Sequence, residues 1–248
     1  IGNMGHFEVA KFVRQLRANR PDTFDKDMDE ILNEKPTFKE FPQTVLDKLH
    51  NDLMSNVLGS KDYFLGRSIT EESMEYFWLG YSANTDMVTV PIHSPTGILV
   101  GLVGRSIEGK KFKNSHNLPR NKTMFNLRRA KKESATLIVC ESSFDAIRIH
   151  QAGFPNVVAT LGGALSNDNV VNLNRYSSSI IIATDADEAG RKLGREIATK
   201  LKNKNIMWAS FSEKVVYPHN AKDVGDLTEL EIQTCIKNAI SHYEYNSW

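Results

Sequence analysis

Three pairs of carboxylates punctuate the second half of the chain: Glu141 with Asp145, Asp185 with Asp187, and Asp223 with Asp226. The first pair follows the apolar run ATLIVC (135–140), the second follows SIIIAT (179–184), and the third lies in AKDVGDL (221–227). Glu141 and Asp145 are four residues apart, so on a helix they face the same way. Carboxylates crowded on one rim repel, and the least stable of them take up protons. A hard divalent cation removes that conflict, because Mg²⁺ takes oxygen ligands and keeps sites for water and substrate phosphates. Two such ions can hold the attacking and departing oxygens of a phosphoryl transfer. A plainer use exists for single residues: Asp187 and Glu141 both stand where helix caps stand. Three clusters at three strand ends, with no Lys or Arg inside the first two, favour a shared metal site.

The elements that must position these groups alternate. Apolar runs at 135–140, 156–160, 179–184 and 206–211 are separated by a helical pattern at 142–153, a Leu161-Gly162-Gly163 turn with a polar helix after it, and a helical pattern at 188–202. In the last of these Ala189, Leu193, Ile197 and Leu201 recur every four residues, an apolar helix stripe. Short apolar strands alternating with helices predict a parallel sheet covered on both faces, and such sheets bind ligands beyond the carboxyl ends of their strands. The carboxylates fall there.

Upstream, Phe7, Ala10, Lys11 and Arg14 follow a helical period, as do Val45, Leu46, Leu49, Leu53 and Val57, with an acidic connector at 21–36 between them. Thr70 is placed to cap a helix opening with Glu71, Glu72 and Ser73. MVTVPIH (87–93) and ILVGLVGR (98–105) read as two strands around Pro95-Thr96-Gly97. Pro91 marks the first as an edge or a bulged strand, and Gly101 and Gly104 permit close approach of another chain or a ligand. Residues 101–132 hold ten Lys or Arg against one acid, Glu108, with Phe112 and Phe125 among them. Such a local excess in a chain of net charge +1 suits a polyanion, or else is a solvated basic loop.

Glu141 at a strand end, a glycine turn, and Asp-x-Asp in IIIATDADEAG resemble the TOPRIM domain of primases, topoisomerases and related nucleases. DADEAGRKLG is close to the primase version, Glu141 with Asp145 matches that family's Glu-x-x-x-Asp, and AKDVGDL resembles its final acidic region. Primases space those last acids two apart; here Asp223 and Asp226 are three apart. Ahead of it, SITEESMEYFWLGYSA (68–83), VPIHSPTGILVGLVGR (90–105), KKFKNS (110–115) and RNKTMFNLRRA (120–130) resemble, in order, the segments of a bacterial or phage-type DNA primase core.

The resemblance implies an α/β fold: a TOPRIM Rossmann-like parallel sheet plus a mixed α/β, helix-rich N-terminal subdomain, divided at 1–132 and 133–248. It implies primer synthesis on single-stranded DNA by metal-dependent nucleotidyl transfer. Glu141, Asp185 and Asp187 would be catalytic, and Glu141, Asp145, Asp185, Asp187, Asp223 and Asp226 would hold two or more Mg²⁺ or Mn²⁺ ions. Arg105, Lys111, Asn114, Arg120 and Lys122 would bind template or nucleotide phosphates. The implied partners are a single-stranded template, ribonucleoside triphosphates and a replicative helicase. The opening IGNMGHF resembles the tail of the zinc ribbon of these primases, so a zinc-ribbon domain of the same protein is expected upstream and no zinc here. The alternatives are a TOPRIM nuclease and a non-catalytic single-stranded DNA-binding module.

The bulk properties agree. Forty per cent hydrophobic and 25% charged residues over 248 positions suit one or two ordinary domains. Cys140 and Cys235 are too few for a disulfide framework or zinc site and suit a reducing cytoplasm. Cys140 reads as core and His6 as an ordinary side chain. No apolar run is long enough to span a bilayer, so no membrane partner is expected.

Overall fold

The computed structural model describes residues 38–109, 111–162, 164–209 and 221–247. The expected helix at 7–14, the connector at 21–36, His6, Lys110, Gly163 and the end of the 206–211 run lie outside them. The elements below belong to one compact unit, Glu40–Trp248.

The described chain begins with α1 (Gln43–Met54), which buries Leu46, Leu49 and Leu53. Two residues of the expected stripe stay out of it: Val45 is 41% exposed, and Val57 lies beyond the helix in a 3₁₀ turn, Val57–Gly59. Helices α2 (Ser60–Leu65) and α3 (Glu71–Phe77) follow, and Thr70 caps α3 by accepting the Ser73 N–H at 3.2 Å. An antiparallel sheet comes next, with β1 (Gly80–Ser82), β2 (Met87–His93), β3 (Leu99–Ser106) and β4 (Phe112–Asn114) side by side in that order. Its inner face shares Leu99 and Leu102 with Leu46 and Leu49 of α1.

β2 is therefore not an edge strand, which corrects half of the reading of Pro91. β1 pairs only with Met87–Thr89, so it has ended before Pro91, and the β2–β3 register shifts between Ile92 and His93. Proline is tolerated because no neighbour on that side asks for its missing N–H. The close approach at Gly101 and Gly104 comes from the chain itself. A Cβ at Gly101 would lie 2.3 Å from Ser115 Oγ, and one at Gly104 would lie 3.1 Å from the Lys113 carbonyl.

After α4 (Leu127–Ala130) the second sheet begins with β5 (Thr136–Cys140), α5 (Ser143–Gln151), β6 (Val157–Ala159), α6 (Asn167–Tyr176), β7 (Ser179–Ile182), α7 (Glu188–Lys200) and β8 (Asn205–Trp208). A 3₁₀ turn (Val224–Asp226), α8 (Glu229–Lys237), β9 (Ile240–Ser241) and α9 (His242–Ser247) complete it. The strand order is β6-β5-β7-β8-β9, parallel except for the antiparallel β9 at the edge. Leu137, Ile138 and Val139 are all fully buried, so both faces of β5 are covered, as a parallel sheet requires. β9 and α9 are additions that the apolar pattern does not announce. They close the edge where Trp208 stacks on Tyr245 at 3.8 Å and donates its indole N–H to His242 Nδ1 at 3.0 Å. No described helix is long and apolar enough to cross a membrane.

Candidate active site

β5 and β7 are hydrogen-bonded neighbours, so Glu141 and Asp185, each just past a strand end, are brought together. Glu141 Oε1 accepts the Asp185 N–H at 3.2 Å. The third acidic segment arrives through a backbone bond, Ala186 N–H to the Lys222 carbonyl at 2.7 Å, which sets Asp223 beside the loop after β7. Asp187 caps α7, its Oδ1 accepting the Gly190 N–H at 2.8 Å. Ser142, not Glu141, caps α5. Ser142 and Asp145 form a capping box in which the Ser142 hydroxyl donates to Asp145 Oδ2 at 2.6 Å. The pattern Ser-x-x-Asp ahead of an apolar helix carries that signal in the sequence.

The electrostatics show one crowded anionic site. Asp185 is pushed up to about 8, first by burial and then by Asp145, Glu141, Asp223 and Asp187 in turn. Asp145 is pushed up to about 6 by burial, with Asp223 and Glu141 adding to the rise and the Ser142 hydroxyl opposing it. Glu141 is raised too, by burial and by Asp187, against the Asp185 N–H that stabilises its charge. A carboxyl at about 8 surrounded by four others is the donor set that a hard divalent cation would relieve. Among the described residues no three His, Cys, Asp or Glu side chains close into a cage around one point. The oxygen-rich set nevertheless fits the expected cation.

Asp226 stands apart. It is not among the charges that raise Asp185 or Asp145, and its Oδ2 accepts the Lys222 N–H at 2.9 Å. With Asp223 it lines a cavity of about 500 Å³ whose other wall includes Asp62, Tyr63 and Arg67.

One basic residue of the first sheet reaches the start of α5. Arg105, on β3, lies with its guanidinium 5.1 Å from the Phe112 ring and 5.2 Å from that of Phe144, the residue before Asp145. Arg67 lies over Tyr63 at 4.9 Å and over the same Phe144 ring at 5.9 Å. Sequence spacing does not single out Arg67; the contact joins segments far apart in the chain. Lys111 is exposed beside β4, and Asn114, half-buried, pairs with Val103. Arg120 and Lys122 are exposed on a segment stitched to the β6 end by the Phe125–Ala159 bridge and by the Ser166 hydroxyl donating to the Asn121 carbonyl. A Cβ at Gly162 would lie 3.6 Å from Arg120 Nη2, so this arginine covers the turn after β6. Three other members of the basic run are spent internally. Arg129 donates to the Tyr76 carbonyl at 3.1 Å, Lys131 to the Pro95 carbonyl at 2.7 Å, and Arg128 is half-buried near His93.

Comparison with known proteins accords with this geometry. Residues 135–208 match the Toprim domain family. The DNA primase of Clostridium acetobutylicum is 27% identical over 235 residues, covering 75% of this chain and 38% of that protein. The chain spans between 18 and 38% of the length of the first curated primases that it matches. Among solved structures, the Aquifex aeolicus primase, comprising zinc-binding and RNA polymerase domains, superposes with a TM-score of 0.69 at 23% identity, covering 82% of this chain and 61% of that one. A DnaG primase catalytic domain bound to single-stranded DNA superposes with a TM-score of 0.61 at 17% identity, covering 76% and 74%. The chain thus carries a Toprim domain at 135–208, is similar in sequence to part of the bacterial DNA primases, and shares the fold of solved primase cores.

Proposed function

We propose that the chain is the primer-synthesising core of a DNA primase, an RNA polymerase that copies single-stranded DNA. The observation that carries this reading is the rim at the ends of β5 and β7, where Asp185 is raised to about 8 by burial and four neighbouring carboxylates. Arg105 lies against Phe144, the residue before Asp145. The reaction is attack of a ribonucleotide 3′-hydroxyl on the α-phosphate of an incoming triphosphate, with pyrophosphate leaving. Glu141, Asp185 and Asp187 would hold Mg²⁺ or Mn²⁺, with Asp145 and Asp223 assisting. When bound, such ions supply the positive charge that stabilises the attacking and departing oxygens.

The chain's own part is positioning. Ser142 and the Asp185 N–H hold Asp145 and Glu141 in place ahead of ligand binding. Arg105, braced between two aromatic rings, offers a fixed guanidinium to phosphate oxygens. Lys111, Asn114, Arg120 and Lys122 would track the template or the nucleotide. Asp226, tied to the Lys222 N–H, serves the loop that carries Asp223. On this reading 1–132 is the template-binding part and 133–248 the metal-binding part. A zinc-binding domain, present in the Aquifex neighbour, and a replicative helicase would be its protein partners.

The test supplies single-stranded template, labelled ribonucleotides and Mg²⁺ or Mn²⁺, and scores oligoribonucleotides from the parent and from Asp185→Asn. Removing one preorganised electrostatic group from a reacting centre costs on the order of a hundredfold or more, so the variant, still folded by thermal melting, should lose at least that. A folded variant working at the parent rate overturns the assignment. Cleavage of the template would favour a nuclease, and binding without product a DNA-binding module.

A further inference from the structure

α5 carries more than Asp145. One turn further on is Arg148, only 6% exposed, and among the described residues it makes no salt bridge with a carboxylate. Its Nη1 donates to the Ser68 carbonyl at 2.9 Å and its Nη2 to the Leu227 carbonyl at 2.5 Å, while Nε has no partner. Gln151, the next turn along, donates to the same Ser68 carbonyl at 2.9 Å and accepts the Thr70 N–H at 3.2 Å. The two segments so gripped are not paired with each other as strands. One follows α2 and carries Arg67; the other leads into α8 and carries Asp223 and Asp226. They are the two walls of the 500 Å³ cavity.

Burial pulls the guanidinium toward its neutral form, with Glu229 the acid that opposes this. A Met or Leu would fill the same space without desolvating a charge, and buried ions are weak devices for stability but serve to specify geometry. A planar fork that donates in two directions at once can fix the distance between two carbonyls. Lys offers its donors from a single nitrogen on a flexible stem, so it does not fix two carbonyls at the spacing that two nitrogens of one rigid plane set.

We propose that Arg148, seconded by Gln151, is a positioning residue that sets the separation of Arg67 and Asp223 across this cavity, and so the place where an incoming ribonucleotide meets the carboxylate rim. The inference rests on the primase reading for its ligand, but the clamp itself is independent of it. Arg148 touches neither substrate nor metal and acts through the two loops.

The experiment uses the full chain with Arg148→Met and Arg148→Lys. Hydrogen exchange, which needs no activity, should quicken at residues 66–70 and 223–227 in Arg148→Met while β5 and β7 keep their protection. In primer extension the same variant should show a raised ribonucleotide KM and a lowered kcat, together at least about tenfold, because small misplacements of reacting groups cost up to a hundredfold. Its affinity for single strands should stay within about twofold of the parent, since Lys111 and Arg120 lie elsewhere. Arg148→Lys, gripping from one flexible nitrogen in place of a planar fork, should fall between, and it carries the test if the Met variant does not fold. Parent-like exchange in both loops overturns the proposal, as does loosened exchange with unchanged KM and kcat. A parent that makes no primers overturns the primase reading instead, and the exchange measurement still judges the clamp.

Discussion

Glu141 keeps its place because there is nothing at position 190 to push it away. A Cβ at Gly190 would lie 2.2 Å from the Asp185 carbonyl and 2.6 Å from Glu141 Oε1, closer than any real contact. The same glycine supplies the N–H that Asp187 caps. Gly190→Ala should therefore cost about 1–3 kcal/mol, the usual penalty for overpacking, and should displace Glu141 and Asp185. Denaturant midpoints should fall with an unchanged slope, and primer synthesis should drop further than the loss of folded protein explains. A variant as stable and as active as the parent would mean that the glycine is incidental. The carboxylates are legible in the sequence because acid type, strand end and spacing coincide. Gly190, Arg67 and Arg148 are not legible, because each matters through atoms delivered from distant segments: the Asp185 carbonyl and Glu141, the Phe144 ring, the Ser68 and Leu227 carbonyls.

At the scale of elements, the alternation of apolar runs and helices suffices to place β5, β6 and β7 within two residues and the start of β8 within one, since each buried parallel strand writes itself as a continuous apolar run. Short elements that depend on a neighbour escape this logic. β4 is three residues long with Phe112 and Lys113 exposed, and β9 is two residues long. Their strand character comes from pairing alone. The contact between β2 and α4 has an electrostatic signature of its own. His93, at the end of β2, is lowered to about 4 by burial and by Arg128 and Arg129. The unfolded chain takes up that proton near pH 6.5, whereas the folded protein resists until about pH 4. Between these values the unfolded state binds more protons, so this contribution to stability is complete above about pH 6.5 and is lost as the pH falls toward 4. Replacing His93 by Gln should remove it. Urea midpoints measured across that window should decline more steeply for the parent than for His93→Gln, and parallel curves would show that His93 protonates freely in the folded state.

For the molecule as a whole, net charge hides the polarity that matters. The chain carries +1 overall, yet five acids crowd at the ends of β5 and β7, while ten Lys or Arg against one acid fall in residues 101–132. Of the basic residues in 101–132, Arg128, Arg129 and Lys131 are committed to buried or backbone contacts. Arg105, Lys111, Lys113, Arg120, Lys122 and Lys132 remain at least partly open to solvent. If about four of these meet phosphates, log affinity for a single strand should fall against log salt with a slope of roughly −3, at about −0.7 per contact. Neutralising Lys111 and Arg120 together should bring it to about −1.5 by the same reckoning. Neutralising Arg128 and Arg129 should lower stability and leave the slope near the parent value, because their guanidiniums face protein. Titrations of a labelled oligonucleotide over a range of salt separate these outcomes. A slope unmoved in the Lys111/Arg120 variant would make the basic run a solvated face and send the template elsewhere on the molecule.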